Sequence, residues 1–164
     1  MKTATVKELN QELNLRNPKE LLELCLRLSK FKKENKELLT YLLFESSDEA
    51  SYIEGVKREI DKQFEHINRK SQSYIRKSIR RILLNTRKYI RYSQKKQTEI
   101  DLLIYFCKKL KKNSPSIQKY TPLLNLYNRQ IGEIIKKVSF LHEDLQYDYG
   151  IELDELKFNE TIKT

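Results

Sequence analysis

Apolar side chains recur every three or four positions along most of the chain, which is the spacing of one face of an α-helix. A Thr5-x-x-Glu8 capping box opens a short first helix, and Asn17-Pro18 with Glu20 opens the second. Ser46-x-x-Glu49 caps the helix that is predicted from about residue 48. From the second onward, the predicted helices span about residues 18–31, 34–45, 48–68, 72–93, 97–111 and 122–147. We therefore predict an all-α fold of six to seven antiparallel helices, in an irregular helical bundle or a short HEAT-like helical stack.

The last predicted helix, 122–147, carries a heptad pattern of apolar residues. The positions are Leu124, Tyr127, Ile131, Ile134, Val138, Leu141 and Leu145. This spacing suits a packing seam inside a bundle, and it also suits a homodimer contact through the 122–147 helix. Since Gly150 favours a helix end there, we predict a single helical domain over 1–150 and a short acidic C-terminal tail over 151–164.

Composition narrows the class of protein further. Only three glycines and three prolines are present, too few for the many tight turns of an all-β fold. The longest apolar run, 102–107, is far shorter than the roughly 20 residues that cross a bilayer, and the N-terminus lacks the apolar core of a signal peptide. Cys25 and Cys107 both stand among apolar residues, so we predict buried, reduced cysteines in a cytoplasmic protein with no membrane partner.

Positive charge is concentrated in the middle of the chain. Residues 66–112 contain 15 Lys and Arg but only 2 Asp and Glu, while the formal net charge of the whole chain is +10. The candidate polyanion-binding residues are Arg76, Lys77, Arg80, Arg81, Arg87, Lys88, Arg91, Lys95 and Lys96. The candidate stacking or contact residues beside them are Tyr74, Leu84 and Tyr92. Cations in a row with tyrosines at the edge are typical of surfaces that bind phosphate backbones.

Ion pairing with the preceding helix is the structural alternative for the same arginines. A helical hairpin that turns near residue 71 would place acidic residues of helix 48–68 beside them. The predicted pairs are Glu65 with Arg76, Asp61 with Arg80, and Glu54 with Arg87. Three acids cannot neutralise the whole region, and a second cluster of carboxylates, over 143–160, could also dock on it.

Motifs that would signal catalysis or a cofactor are missing. His66 and His142 have no metal-ligating partner at helical spacing, and the isolated glycines cannot form a phosphate-cradling loop. We therefore predict no catalytic residue, no metal site and no cofactor. The leading interpretation is a non-enzymatic binding or scaffold protein whose basic surface contacts nucleic acid or another polyanion. The alternatives are a protein–protein interaction adaptor without a nucleic-acid role, and an enzyme whose carboxylates converge between helices.

Overall fold

The computed structural model describes residues 2–113 and 117–158, which contain eight α-helices and no strand. The helices are Val6–Asn14 (α1), Pro18–Phe31 (α2), Lys33–Thr40 (α3), Glu49–Glu65 (α4), Gln72–Ser93 (α5), Lys96–Asn113 (α6), Thr121–Val138 (α7) and Glu143–Leu156 (α8). A π-helical turn, Tyr41–Glu45, follows α3, and a 3-10 turn, Ile117–Lys119, precedes α7. The all-α prediction is confirmed, with a helix count slightly above the six to seven expected. The sequence also predicts a break between helices at 113–116, and residues 114–116 lie outside the described part of the chain.

The first two helices begin at the residues that the sequence predicts. Thr5 caps α1 in a reciprocal capping box with Glu8. Asn17 caps α2 in the same way with Glu20, whose carboxylate accepts a hydrogen bond from the Asn17 backbone N–H at 2.9 Å. These short contacts satisfy backbone N–H groups that have no partner inside the helix.

The start of α4 differs from the prediction. Asp48 is the N-cap, and its Oδ1 accepts a hydrogen bond from the backbone N–H of Ser51 at 3.0 Å. The predicted cap, Ser46, stands two residues earlier, so that prediction is wrong. Two capping signals overlap at 46–49, and the later one, which carries a carboxylate suited to the helix dipole, starts the helix.

The predicted helix 122–147 is divided in two. α7 ends at Val138, the chain turns over 139–142, and His142 caps α8, where Glu143 and Asp144 occupy the first turn. Acidic residues favour a helix N-terminus, which is why a new helix begins there although the apolar spacing continues. The homodimer contact predicted through residues 122–147 stays a prediction, and two helices rather than one would form it.

The inner positions of the heptad pattern are buried within this chain. Tyr127, Ile134 and Val138 are buried, and the Tyr127 hydroxyl donates a hydrogen bond to the backbone carbonyl of Leu156 at 2.6 Å. α8 continues through the predicted boundary at residue 150 and buries Leu153. The segment predicted as an acidic tail is thus helical as far as Leu156, and residues 159–164 lie outside the description.

Contacts divide the chain into two compact units, Met1–Glu45 and Ser46–Thr164, where the sequence predicts a single domain over 1–150. In the first unit α2 packs against α3, and the Asn35 side chain donates a hydrogen bond to the carbonyl of Leu28 at 2.9 Å. No residue of α1, α2 or α3 is buried. This unit therefore leaves its apolar side chains largely in contact with water.

The second unit is arranged around α6, which contacts α4, α5, α7 and α8. Ile100, Leu102, Phe106 and Cys107 of α6 have no accessible surface, and the Phe106 ring lies 5.8 Å from that of Phe64 on α4. A helix buried on all sides carries apolar residues around its whole circumference. The core of the second unit is built on this helix.

Consecutive helices of the second unit run antiparallel. Tyr52, near the start of α4, donates to the carbonyl of Tyr89 near the end of α5, and Gln63 at the other end of α4 accepts from Asn85. The Lys137 ammonium, near the end of α7, pairs at 3.0 Å with the carboxylate of Glu99 in the first turn of α6. The connections between these helices are short, and short connections favour antiparallel neighbours.

The two cysteines differ in their surroundings. Cys107 is buried as predicted, and burial raises the pKa of its thiol to about 12. Cys25 is exposed, so its predicted burial is wrong. The apolar face of α2 that carries Cys25 is not buried by the other helices of the first unit. Among the described residues, no helix has both the length and the apolar composition needed to span a membrane.

Candidate nucleic-acid interface

The predicted basic surface lies on α5, whose bounds match the sequence prediction. Ser71 caps the helix, and its hydroxyl accepts a hydrogen bond from the backbone N–H of Tyr74 at 3.3 Å. Ile79, Ile82 and Leu83 turn inward and are buried. Since the apolar residues occupy one side of the helix, its cations face away from the core.

The predicted ion pairs between α4 and α5 are not formed. Arg87 instead donates to Glu133 and Gln130 on α7. Glu54 pairs with Lys57 on its own helix. The predicted pairing of Glu54 with Arg87 is therefore wrong.

The other acids of α4 do not reach α5 either. Asp61 pairs with Lys109 of α6 at 2.7 Å and accepts a hydrogen bond from the Tyr105 hydroxyl. Neither Glu65 nor Arg76 forms an ion pair within residues 2–113 and 117–158. The whole predicted set of pairs is thus absent from the described structure.

The predicted ion pairs do not form because α4 and α5 contact each other through a different side of each helix. α4 and α5 contact one another through Gln63 with Asn85 and through Tyr52 with the Tyr89 carbonyl. These residues lie on the side of each helix opposite to the acids and the arginines. Asp61 on the acidic side of α4 reaches Lys109 of α6, and Arg87 of α5 reaches α7.

Three lysines of α6 are held by neighbouring helices. Besides Lys109, which pairs with Asp61 of α4, Lys108 pairs with Glu152 of α8 at 2.8 Å and with Glu155 at 3.6 Å. Lys111 donates to the backbone carbonyls of Glu155 and Lys157. α8 therefore covers part of the basic middle, and these three lysines do not contribute to an open basic surface.

Four cations in the first half of α5 remain without an ion pair among the described residues. Lys77, Arg80 and Arg81 are exposed and Arg76 is half-buried. We call Arg76, Lys77, Arg80 and Arg81 the α5 basic surface. No acidic residue occupies the first turn of α5, so its positive helix dipole adds to the same potential.

Two of the three predicted contact residues lie at this surface. Leu84 is 66% exposed, one turn beyond Arg80 and Arg81. Tyr74 is 50% exposed, and the Lys77 ammonium lies 5.9 Å from its ring centroid. An apolar side chain and an aromatic ring beside exposed cations can contact sugars and bases while the cations hold phosphates.

The other predicted residues lie along the second half of α5 and its end. Tyr92 is buried and packs edge-on against Tyr89 at 6.1 Å, so its predicted role in stacking on a base is wrong. Lys88 lies 4.7 Å from the Tyr89 ring centroid, and Lys95 pairs with Glu49 of α4 at 2.8 Å. These contacts tie the second half of the helix to its own chain.

Arg91 and Lys96 remain exposed at this end, and neither forms an ion pair with a described residue. Lys96 lines an open groove of about 440 Å³ together with Lys136 and Phe140 of the segment at the end of α7. Lys136 and Phe140 are not among the predicted residues, because both lie inside the helix predicted over 122–147. The Lys136-Lys137 dipeptide before an aromatic residue is the signal that could have indicated them.

Two half-buried carboxylates of the second unit, those of Asp61 and Asp101, accept hydrogen bonds from tyrosines on neighbouring helices. The Tyr149 hydroxyl donates to Asp101 at 2.7 Å, and burial raises the pKa of the Asp101 carboxyl against the opposing effect of that hydrogen bond. The Tyr105 hydroxyl holds Asp61 at 2.8 Å in the same way. Over the described residues, no three His, Cys, Asp or Glu side chains are grouped as a metal site would require.

No protein-family model matches this chain, and neither the curated proteins nor the solved structures contain a match to it. The functional interpretation therefore rests on the geometry described above.

Proposed function

We propose that this chain is a non-enzymatic protein that binds nucleic acid, or another phosphate-bearing polyanion, through the α5 basic surface. The observation that carries the proposal is the concentration of Arg76, Lys77, Arg80 and Arg81 within six residues, about 8 Å of helix. Neighbouring acids compensate Lys108 and Lys109 of α6, whereas these four cations have no ion pair among the described residues. Exposed cations of this density attract phosphates and release counterions on binding.

Binding would rely on phosphate neutralisation rather than on base recognition. The two arginines at 80 and 81 and Lys77 point to solvent, while Leu84 and Tyr74 provide apolar contact beside them. A single strand exposes the base faces that an aromatic ring can stack on, so we expect single strands to bind at least as well as duplexes. No motif for reading base edges is present, and sequence preference should be weak.

Fluorescence anisotropy with labelled oligonucleotides tests the proposal. Titrations from about 50 to about 300 mM salt should give a slope of log K on log salt near −3 for single strands, as expected for about four phosphates. The variant Lys77→Glu/Arg80→Glu/Arg81→Glu should lose most of the affinity and most of the salt dependence. The protein must be freed of nuclease and bound nucleic acid beforehand.

A variant with the same change of net charge controls for nonspecific attraction. Lys7→Glu/Lys19→Glu/Arg27→Glu reverses three exposed cations of the first unit, so both triple variants lower the formal charge of +10 by six. The proposal predicts near-normal binding by this control. Equal losses in the two variants, or no binding by the native chain at the lowest salt, would refute a defined surface on α5.

A protein–protein adaptor is the second candidate function, and one observation favours it. Residues 6–44 expose many large apolar side chains, including Val6, Phe31 and Phe44. Apolar contacts depend little on salt, so binding of a protein partner would show a much flatter slope than binding of nucleic acid. Both functions are compatible with one chain because they use different units.

An enzyme with carboxylates converging between helices has less support. Asp61 and Asp101 each accept a hydrogen bond from one tyrosine, Tyr105 and Tyr149 respectively. Such pairs join adjacent helices, as hydrogen bonds between buried side chains commonly do. A general acid–base pair would instead require two titratable groups to face a common cleft.

For the architecture, we favour an irregular helical bundle over a HEAT-like stack. The support is the position of α6, which contacts four other helices of the second unit. In a solenoid each helical pair contacts only its neighbours along the stack. The location of the protein in the cytoplasm stays a prediction from the sequence.

A further inference from the structure

We propose that the N-terminal unit is a self-association surface, on which α2 of one copy packs antiparallel against α2 of a second copy of this chain. The contact would centre on Cys25, flanked by Leu22 and Leu28. This inference is independent of the polyanion-binding proposal, because it concerns the first unit only and makes no use of α5.

The first observation is an apolar face without a cover. Leu22 and Leu28 are 58% and 60% exposed, and Cys25 between them is exposed as well. Their spacing of three residues places all three on one side of α2. Short helices in water gain most of their stability from packing an apolar face, and α2 has no buried residue at all.

The second observation is the amount of apolar surface. The large apolar side chains exposed in this unit are Val6, Leu9, Leu13, Leu15, Leu22, Leu24, Leu26, Leu28, Phe31, Leu42, Leu43 and Phe44. Together they expose on the order of 1,000 Å² of apolar surface, against about 800 Å² that each partner buries in a stable interface.

The charges of the unit identify the occupant as a protein rather than a membrane or a nucleic acid. Residues 1–45 contain nine Lys and Arg and seven Asp and Glu. The polar side of α2 mixes both signs, with Glu20 and Glu23 beside Lys19, Arg27 and Lys30. Helices that bind anionic lipid carry Lys and Arg on the polar side, and the acids here would repel phosphate.

The pattern of the face fits a second copy of the same helix. A two-fold axis through Cys25 places Leu22 against Leu28 of the second copy, and Leu28 against its Leu22, so the face is complementary to itself. Two-fold interfaces between identical chains require this property. The two Cys25 residues would then face each other at the axis, within the distance that a disulfide spans for closely packed helices.

Sedimentation velocity of the full chain, under reducing conditions and from about 1 to about 100 µM, tests the association. The native chain should form a dimer over this range. Leu22→Glu/Leu28→Glu should weaken the dimer by roughly 100-fold or more, because four apolar side chains, two from each copy, are lost from the contact at once. As a matched control, Ile135→Glu/Ile151→Glu replaces two exposed apolar residues of the second unit and should leave the dimer intact.

Cross-linking locates the two-fold axis. Diamide should join two Cys25 thiols in one disulfide, with the two electrons and two protons passing to diamide, and Cys25→Ser should abolish the covalent dimer. Cys107 is buried and does not compete. Circular dichroism must show that each variant keeps the native helix content.

Three results would overturn the proposal. The first is a native chain that stays monomeric at the highest concentration. The second is a dimer that Leu22→Glu/Leu28→Glu does not weaken, and the third is a dimer whose Cys25 thiols do not cross-link. If the chain is monomeric and the salt-dependent binding of oligonucleotides persists, only the self-association is refuted.

Discussion

Glu49 joins three helices of the second unit, and its replacement by alanine should lower the stability of that unit markedly. The side chain lies in the first turn of α4 and is 18% exposed. Its Oε1 accepts hydrogen bonds from Ser93 at the end of α5 and from Thr98 of α6, the latter at 2.6 Å. Its Oε2 pairs with the ammonium of Lys95 at 2.8 Å.

The expected loss follows from the burial of these partners. A hydrogen bond to a charged group contributes about 1.5–3 kcal/mol, and a buried hydroxyl left without a partner costs about 1–3 kcal/mol. Thr98 and Ser93 are both buried, so Glu49→Ala leaves two hydroxyls short of an acceptor. The pair with half-exposed Lys95 adds little because solvent screens it. We expect a loss of about 3 kcal/mol in the free energy of unfolding.

Glu54→Ala provides the matched control on the same helix. Glu54 is 59% exposed and pairs only with Lys57, three residues along, a type of contact that contributes about 0.5 kcal/mol or less. Both variants remove one carboxylate from α4, so they share any effect of net charge. The difference between them therefore measures the buried contacts of Glu49.

Urea unfolding followed by near-ultraviolet circular dichroism is the appropriate assay. The chain has no tryptophan, and nine of its ten tyrosines lie in residues 46–164, so the tyrosine signal reports mainly on the second unit. At an unchanged m-value, the midpoint should fall much further for Glu49→Ala than for Glu54→Ala. Losses within about 0.5 kcal/mol of each other would show that the buried hydroxyls find other partners and that the reasoning is wrong.

Two further predictions concern buried groups near α6 and α7. Because burial raises the pKa of the Cys107 thiol to about 12 from an ordinary 9.0, the unfolded state loses a proton first, and stability should fall by about 1.4 kcal/mol per pH unit between those values. When urea unfolding is measured from pH 8 to 11, the free energy of unfolding should fall less steeply with pH in Cys107→Ala than in the native chain. Gln130 is buried with its Nε2 unpaired while its Oε1 accepts from Arg87, so Gln130→Met should change the unfolding free energy by less than about 1 kcal/mol, measured in the same assay.

The bounds of individual helices could be predicted where the signals are local. α2 begins after Asn17 and α5 after Ser71, each at a side chain that caps a backbone N–H a few residues along the chain. Prediction failed where two local signals competed. Near Ser46 the carboxylate of Asp48 provides the cap, and near Ser139 the apolar spacing continued across a turn.

The partners of the charged residues could not be predicted from two helices alone. Taken as an isolated hairpin, α4 and α5 would pair their charged sides with each other. In the structure Asp61 of α4 pairs with Lys109 of α6, and Arg87 of α5 pairs with Glu133 of α7. These helices lie roughly 45 residues further along the chain, so which side of the hairpin they cover depends on the packing of the whole unit.

The same packing divides the predicted basic face into two halves with different consequences. In the second half, Arg87 and Lys95 are bound to Glu133 and Glu49, so reversing their charges would leave half-buried carboxylates facing a like charge. In the first half, Lys77 and Arg81 have no ion pair among the described residues, and their reversal removes no such contact. A variant that mixed the two halves would lose binding through unfolding as readily as through the loss of a phosphate contact. Only substitutions confined to the α5 basic surface can therefore attribute a loss of binding to the surface itself.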